Sequence, residues 1–144
     1  MTVKQLSVFI ENKSGSLRQV LQTLKNAHIQ LIATTLADTT DFGIYRIICS
    51  EPTRAYNVLK SAGIAVTYTD VFAIQLDNTP GMAADAIAVF ADQNIDIAYL
   101  YSFLLGGKGI LIFRTNHPEH AREIIILEHL TFITEEGLLN LANT

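Results

Sequence analysis

The sequence predicts an α+β fold: two tandem βαββαβ units, residues 1–69 and 70–144, each an antiparallel sheet with helices on one face. Three observations predict it. The chain repeats itself without a gap at an offset of 66 residues, matching Asn12 to Asn78, Gly15 to Gly81 and Ile29 to Ile95. The same offset matches Gly43-Ile44 to Gly109-Ile110, Pro52 to Pro118 and Ala55 to Ala121, so the Gly and Pro punctuation falls in register. In each half, period-two and helical apolar patterns follow one another in the same order.

In the first half Leu6, Val8 and Ile10 alternate, as on a strand with one buried face. A turn is expected at Asn12-Lys13-Ser14-Gly15. Leu17, Val20, Leu21 and Leu24 then fall at helical spacing and form one apolar stripe. Residues 29–37 and 44–49 read as a hairpin around the polar turn Asp38-Thr39-Thr40-Asp41. Pro52 suits a first helical turn and Gly63 a helix end, with Ala55, Val58, Leu59 and Ala62 as the stripe between them. Residues 64–69 close the half as a strand.

The second half repeats the order. Phe72, Ile74 and Leu76 alternate, and Asn78-Thr79-Pro80-Gly81 opens a helix with Ala83, Ala86, Ile87 and Phe90 on one face. Residues 95–104 and 110–115 flank Gly106-Gly107-Lys108-Gly109, a hairpin turn. Pro118 opens a helix through Ala121, Ile124 and Ile125; residues 130–134 form the last strand and 135–142 a short terminal helix. Each half is therefore a ferredoxin-like unit. The junction, residues 66–76, holds no Gly or Pro, so the two units are expected to be rigidly coupled.

Composition excludes several functions. Hydrophobic residues make up 49% and charged residues 17%, which is incompatible with intrinsic disorder. Ten basic against fourteen acidic residues give a net charge of −4, without the basic footprint of a nucleic-acid binder. No apolar run is long enough for a membrane span, and the start has no signal-peptide pattern. A single cysteine, Cys49, rules out an internal disulfide framework. These features point to a cytoplasmic protein.

The chemistry-bearing segments are the two first strand-to-helix turns, Glu11-Asn12-Lys13-Ser14-Gly15-Ser16 and Asp77-Asn78-Thr79-Pro80-Gly81-Met82. Glycine allows a close backbone approach. The helix that follows offers unpaired N–H groups and a positive dipole end to a carboxylate or phosphate. Asparagine can both donate and accept a hydrogen bond. The competing reading is structural, because Asn, Ser and Thr are common helix caps and turn formers.

The stretch from Val8 to Leu17, followed by Asn26-Ala27-His28-Ile29-Gln30-Leu31, resembles the ACT domain family. The stretch from Ile74 to Met82, followed by Asp92-Gln93-Asn94-Ile95-Asp96-Ile97-Ala98, resembles it equally, so two copies span residues 3–134. The resemblance implies a regulatory module that binds a free amino acid between paired units and has no catalysis of its own. It also implies a homo-oligomer and a regulated metabolic enzyme as partner, with no cofactor or metal. Carried over, the ligand-binding residues are Asn12, Lys13, Ser14, Gly15, Ser16 and Leu17 in the first turn. In the second turn they are Asn78, Thr79, Pro80, Gly81, Met82 and Ala83, and at the start of the second strands Gln30 and Asp96. Crosswise pairing would set Asn12 against Asp96 and Asn78 against Gln30. Those sites would differ, because Asp96 suits an α-ammonium group better than Gln30 does. Ser14 stands where the second copy has Pro80, a departure from the family pattern.

Other signals are weaker. His117, His120 and Glu123 lie close together, but a proline-opened polar helix accounts for them. Tyr99, Tyr101 and Phe103 alternate with Ala98, Leu100, Ser102 and Leu104, which suggests a strand covered on both sides, with the aromatic row packed against a neighbouring unit or subunit. The alternative readings are an oligomeric interaction module without ligand and an enzyme of ferredoxin-like fold, for which no coherent acid, base or nucleophile set is visible.

Overall fold

The computed structural model describes residues 1–11, 13–38 and 41–143, with the backbone only of Lys13. Thr39 and Thr40 of the expected polar turn lie outside the described residues. The chain divides into two compact units, Lys4–Thr69 and Asp70–Thr144, the latter joined by Met1–Val3.

The Lys4–Thr69 unit holds β1 (Thr2–Ile10), α1 (Lys13–Asn26), β2 (Leu31–Asp38), β3 (Gly43–Cys49) and α2 (Pro52–Ser61). It ends in the first residues of β4 (Val66–Leu76). Strand β3 lies between β2 and β1, antiparallel to both. Alternation along β1 aims Leu6, Val8 and Ile10 at one face, where they meet Val20 and Leu24 of α1 and Ala55 and Leu59 of α2 in a buried core. Leu21, expected in the helix stripe, stands 36% exposed at its flank. Tyr56 and Tyr68 pack edge to face outside the core, with ring centroids 4.7 Å apart.

The second unit is assembled in the same register. It uses the rest of β4, then α3 (Met82–Asp92), β5 (Ile97–Leu105), β6 (Lys108–Thr115) and α4 (Pro118–Leu127). Leu76 opposes Gly109 as Ile10 opposes Gly43, and both hairpins carry an irregularity at the repeat-equivalent places Leu31/Ala33 and Ile97/Tyr99. Leu105 and Lys108 flank a two-residue turn in which Gly106 and Gly107 both have positive φ, 57° and 77°, as a type I′ hairpin requires. Phe72, Ile74, Leu111 and Phe113 of the sheet pack on Phe90 of α3 and on Ala121, Ile124 and Ile125 of α4. Phe113 is the hub, 5.4 Å from Phe72 and 4.8 Å from Phe90 between ring centroids.

Three features differ from the sequence reading. The strands expected at 64–69 and 72–76 are one continuous β4, because no Gly or Pro interrupts the extended run. The last strand, expected over 130–134, shrinks to a bridge between Ile74 and Phe132. Two hydrogen bonds support it, from the Gln75 N–H to the Thr131 carbonyl (2.7 Å) and from the Ile133 N–H to the Ala73 carbonyl (2.8 Å). The chain then enters α5 (Glu135–Ala142), capped by the Thr134 hydroxyl accepting the Gly137 N–H at 3.1 Å. The third difference is at β5. Leu100 and Leu104, on the face shared with the helices, are 46% and 63% exposed, so that side is not covered within the chain. An edge strand lies beyond the reach of two helices seated over the inner strands.

The helix ends repeat as well. His28 and Asn94 are left-handed at φ 57° each, and Gly63 (φ 78°) has its counterpart in His129 (φ 53°). Left-handed backbone costs a residue with a Cβ about 1–2 kcal/mol. Gly63→Ala should therefore destabilise by about 1 kcal/mol, although its new methyl group would meet nothing within 4 Å. His129→Gly should stabilise by up to about 1 kcal/mol, read as opposite displacements of the urea midpoint. In the core, Phe113→Ala should cost about 3–5 kcal/mol and Leu127→Ala, 74% exposed, less than about 0.5 kcal/mol by the same measurement.

Candidate functional site

The second turn is an ordered loop. The Thr79 N–H donates to the Asp77 carbonyl at 2.8 Å, and the Met82 N–H to the Thr79 carbonyl at 3.4 Å. Gly81, at φ 90°, is the N-cap of α3, and no side chain caps this helix. Asn78 is exposed and is not the cap; it stands in the turn ahead of α3. Ala83 and Ala84 lie in the first turn of α3, where N–H groups have no carbonyl four residues back within the helix. Because Leu76 opposes Gly109, the turn lies beside the β5–β6 hairpin. Between them is a cleft of about 300 Å³. Asp77, Asn78, Thr79, Met82 and Ala83 line it from the turn, and Ser102, Phe103 and Leu104 from the strand. The expected site residues Pro80 and Gly81 shape the loop without lining the cleft. Ser102 and Leu104 were not singled out as binding residues; the one available signal was a small polar residue inside the apolar run of residues 97–105.

The first turn is built differently. Asn12 and the side chain of Lys13 lie outside the described residues. Helix α1 already begins at Lys13, three residues earlier in the repeat than α3, so Ser14, Gly15, Ser16 and Leu17 are helical rather than part of a turn. The physical reason lies at Pro80. Proline disfavours helical backbone in the residue before it, here Thr79, whereas Ser14 places no such restriction on Lys13. The cleft at this turn, about 210 Å³, opens on another flank, between Glu11, Ser16 and Gln19 on one side and Gly63, Ile64 and Ala65 on the other.

Gln30 and Asp96 are both exposed, each just ahead of its strand. Gln30 is anchored by its backbone: its N–H donates to the Ser50 hydroxyl at 3.1 Å, and its carbonyl accepts the Ser50 N–H at 2.9 Å. Asp96 precedes β5, whereas the cleft beside Asn78 meets that strand at residues 102–104. At about 3.3 Å per residue, roughly 20 Å of strand separates them. One unit thus brings Asn78 to Ser102 and does not bring it to Asp96.

The groups considered for other chemistry stay apart. His117 caps α4 through its backbone, with its N–H on the Thr115 hydroxyl at 3.1 Å. No group of three His, Cys, Asp or Glu residues could hold a metal ion among the described residues. Cys49 is buried. Arg54 draws the Glu51 carboxyl below the usual carboxylate range through a 2.6 Å contact at the start of α2, outside both clefts. Among the described residues, no helix is long and apolar enough to cross a membrane.

The family model for the ACT domain pair matches residues 1–142. The chain belongs to that family. A crystal structure of protein BT0572 from Bacteroides thetaiotaomicron is similar at 35% identity over 96% of each chain, with a TM-score of 0.90. Two further structures share the ACT fold. The regulatory subunit of aspartate kinase from Thermus thermophilus, in ligand-free form, has 13% identity over 86% of this chain and 91% of that one, with a TM-score of 0.60. Aspartokinase alpha and beta subunits have 18% identity over 85% and 88%, with a TM-score of 0.55. No curated protein matches the sequence.

Proposed function

We propose that this ACT domain pair is a regulatory sensor of a free amino acid, without catalysis of its own. The observation that carries the reading is the cleft at the second turn, where an exposed Asn78 and the uncapped start of α3 face one space. The Ala83 and Ala84 N–H groups receive the α-carboxylate, helped by the helix dipole. The Asn78 carboxamide accepts a hydrogen bond from the α-ammonium group. A second contact to that ammonium comes from Asp96 or Gln30 of another copy of the chain, since Asp96 stands far from Asn78 within its own unit. Ligand binding thereby favours one assembly of a homo-oligomer, and a metabolic enzyme in the cytoplasm reads the change. The ACT fold of the aspartate kinase regulatory subunit supports a regulatory role. A ligand-free interaction module is the second reading, favoured by the exposed Leu100 and Leu104 on an edge strand.

A thermal-shift panel of the common amino acids, each at millimolar concentration, separates the two. Ligand at a hundred times its dissociation constant adds about 2.7 kcal/mol, which raises Tm by roughly 5–10 °C for a chain of this size. Asn78→Ala should remove the shift while leaving the ligand-free Tm within about 2 °C, because the residue is exposed. A flat panel from folded protein would reject the sensor reading in favour of the interaction module.

A further inference from the structure

The two repeats differ at a strand position close to the hairpin glycine of each unit. Leu36 in β2 and Ser102 in β5 are repeat equivalents. Leu36 opposes Tyr45 and Ser102 opposes Leu111, each two residues from the glycine that opposes the end of the first strand of its unit. In the first repeat the Leu36 side chain leans over that glycine. Its Cδ1 lies 3.3 Å from where a Cβ on Gly43 would stand. In the second repeat the three atoms nearest the same point on Gly109 all belong to Leu76, and none comes from β5. The smaller Ser102 leaves that space open and lines the cleft of about 300 Å³. The cleft found at the first turn does not include Leu36 or Gly43.

The lining also restricts the ligand. Leu76, Met82 and Leu104 give apolar walls, and Asn78 and Ser102 are neutral. The one ionisable side chain in the lining is Asp77, which repels an acidic side chain. A volume at the lower end of the range for small-molecule sites fits an amino acid rather than a nucleotide.

We infer that each chain binds one ligand, in the second repeat. The ligand is an aliphatic α-amino acid, and Ser102 is the specificity-determining residue whose small size admits the aliphatic side chain. In the first repeat the larger Leu36 holds the equivalent strand position and reaches over Gly43. The inference rests on the amino-acid sensor reading above and adds to it the occupied repeat, the ligand class and the residue that sets the size limit.

Isothermal titration of the full chain with L-leucine, L-isoleucine, L-valine, L-methionine, L-glutamate and L-lysine tests it. The expected result is one site per chain for at least one of the first four, in preference to lysine, and no heat from glutamate, which Asp77 repels. Ser102→Val should weaken binding several-fold and Ser102→Leu at least tenfold. Both variants should keep the wild-type melting temperature without ligand, because Ser102 is exposed. Two equal sites per chain, or undiminished affinity in Ser102→Leu, would overturn the assignment to the second repeat while leaving the sensor reading in place. Preference for glutamate or lysine would overturn the ligand class alone. Silence from the whole thermal-shift panel would reject the sensor reading and this inference with it.

Discussion

The antiparallel pairing of β4 with β6, closing with Leu76 opposite Gly109, is the constraint on which the candidate site depends. A Cβ on Gly109 would stand 3.3 Å from the Leu76 carbonyl, so glycine permits the close end of this ladder. The register places the last residue of the strand against the first turn of the hairpin strand. The loop after Leu76 then lines one cleft with residues 102–104. Slipping the pairing by one residue would turn Phe72 and Ile74 away from Phe90 and Phe113 and expose the core, so the hydrophobic pattern holds the site geometry in place.

Duplication supplied the same scaffold twice, and two local substitutions made the copies unlike. At the turn, Pro80 delays α3 and leaves an ordered loop with Gly81 in the left-handed region, whereas Ser14 lets α1 start three residues earlier. At the facing strand, Ser102 is small where Leu36 reaches over Gly43. Neither change touches a core residue: Pro80, Ser102 and Ser14 are exposed, and Leu36 is 46% exposed. Such positions can diverge with little cost in stability, which leaves one scaffold free to carry two different surfaces.

Much of the fold was legible because burial enforces periodicity. Residues at Leu6, Val8 and Ile10, or at Ala86 and Phe90, must face one way to leave water, and their spacing records it. The misreadings fall where burial weakens. Leu21 fits the helical period yet lies at the flank of its stripe, and Leu100 and Leu104 fit a covered strand yet stand at an uncovered edge. The last strand was overextended because Leu130 and Ile133 are apolar on either side of a single bridge. Of the candidate site, the turn was visible in Asn78, Pro80 and Gly81, whereas its facing wall was not. Ser102 and Leu104 carry no motif, and their place beside Asn78 depends on hairpin register.

The sequence by itself determined the repeat, the order of the main elements and the face that each inner strand and helix buries. These follow from local torsional preferences and from which side chains avoid water. Tertiary structure decided that Asn78 is no helix cap, that it lines one cleft with Ser102, and that Asp96 stands toward the other end of β5. Those outcomes depend on which residues far apart in the chain come side by side, and strand register sets that.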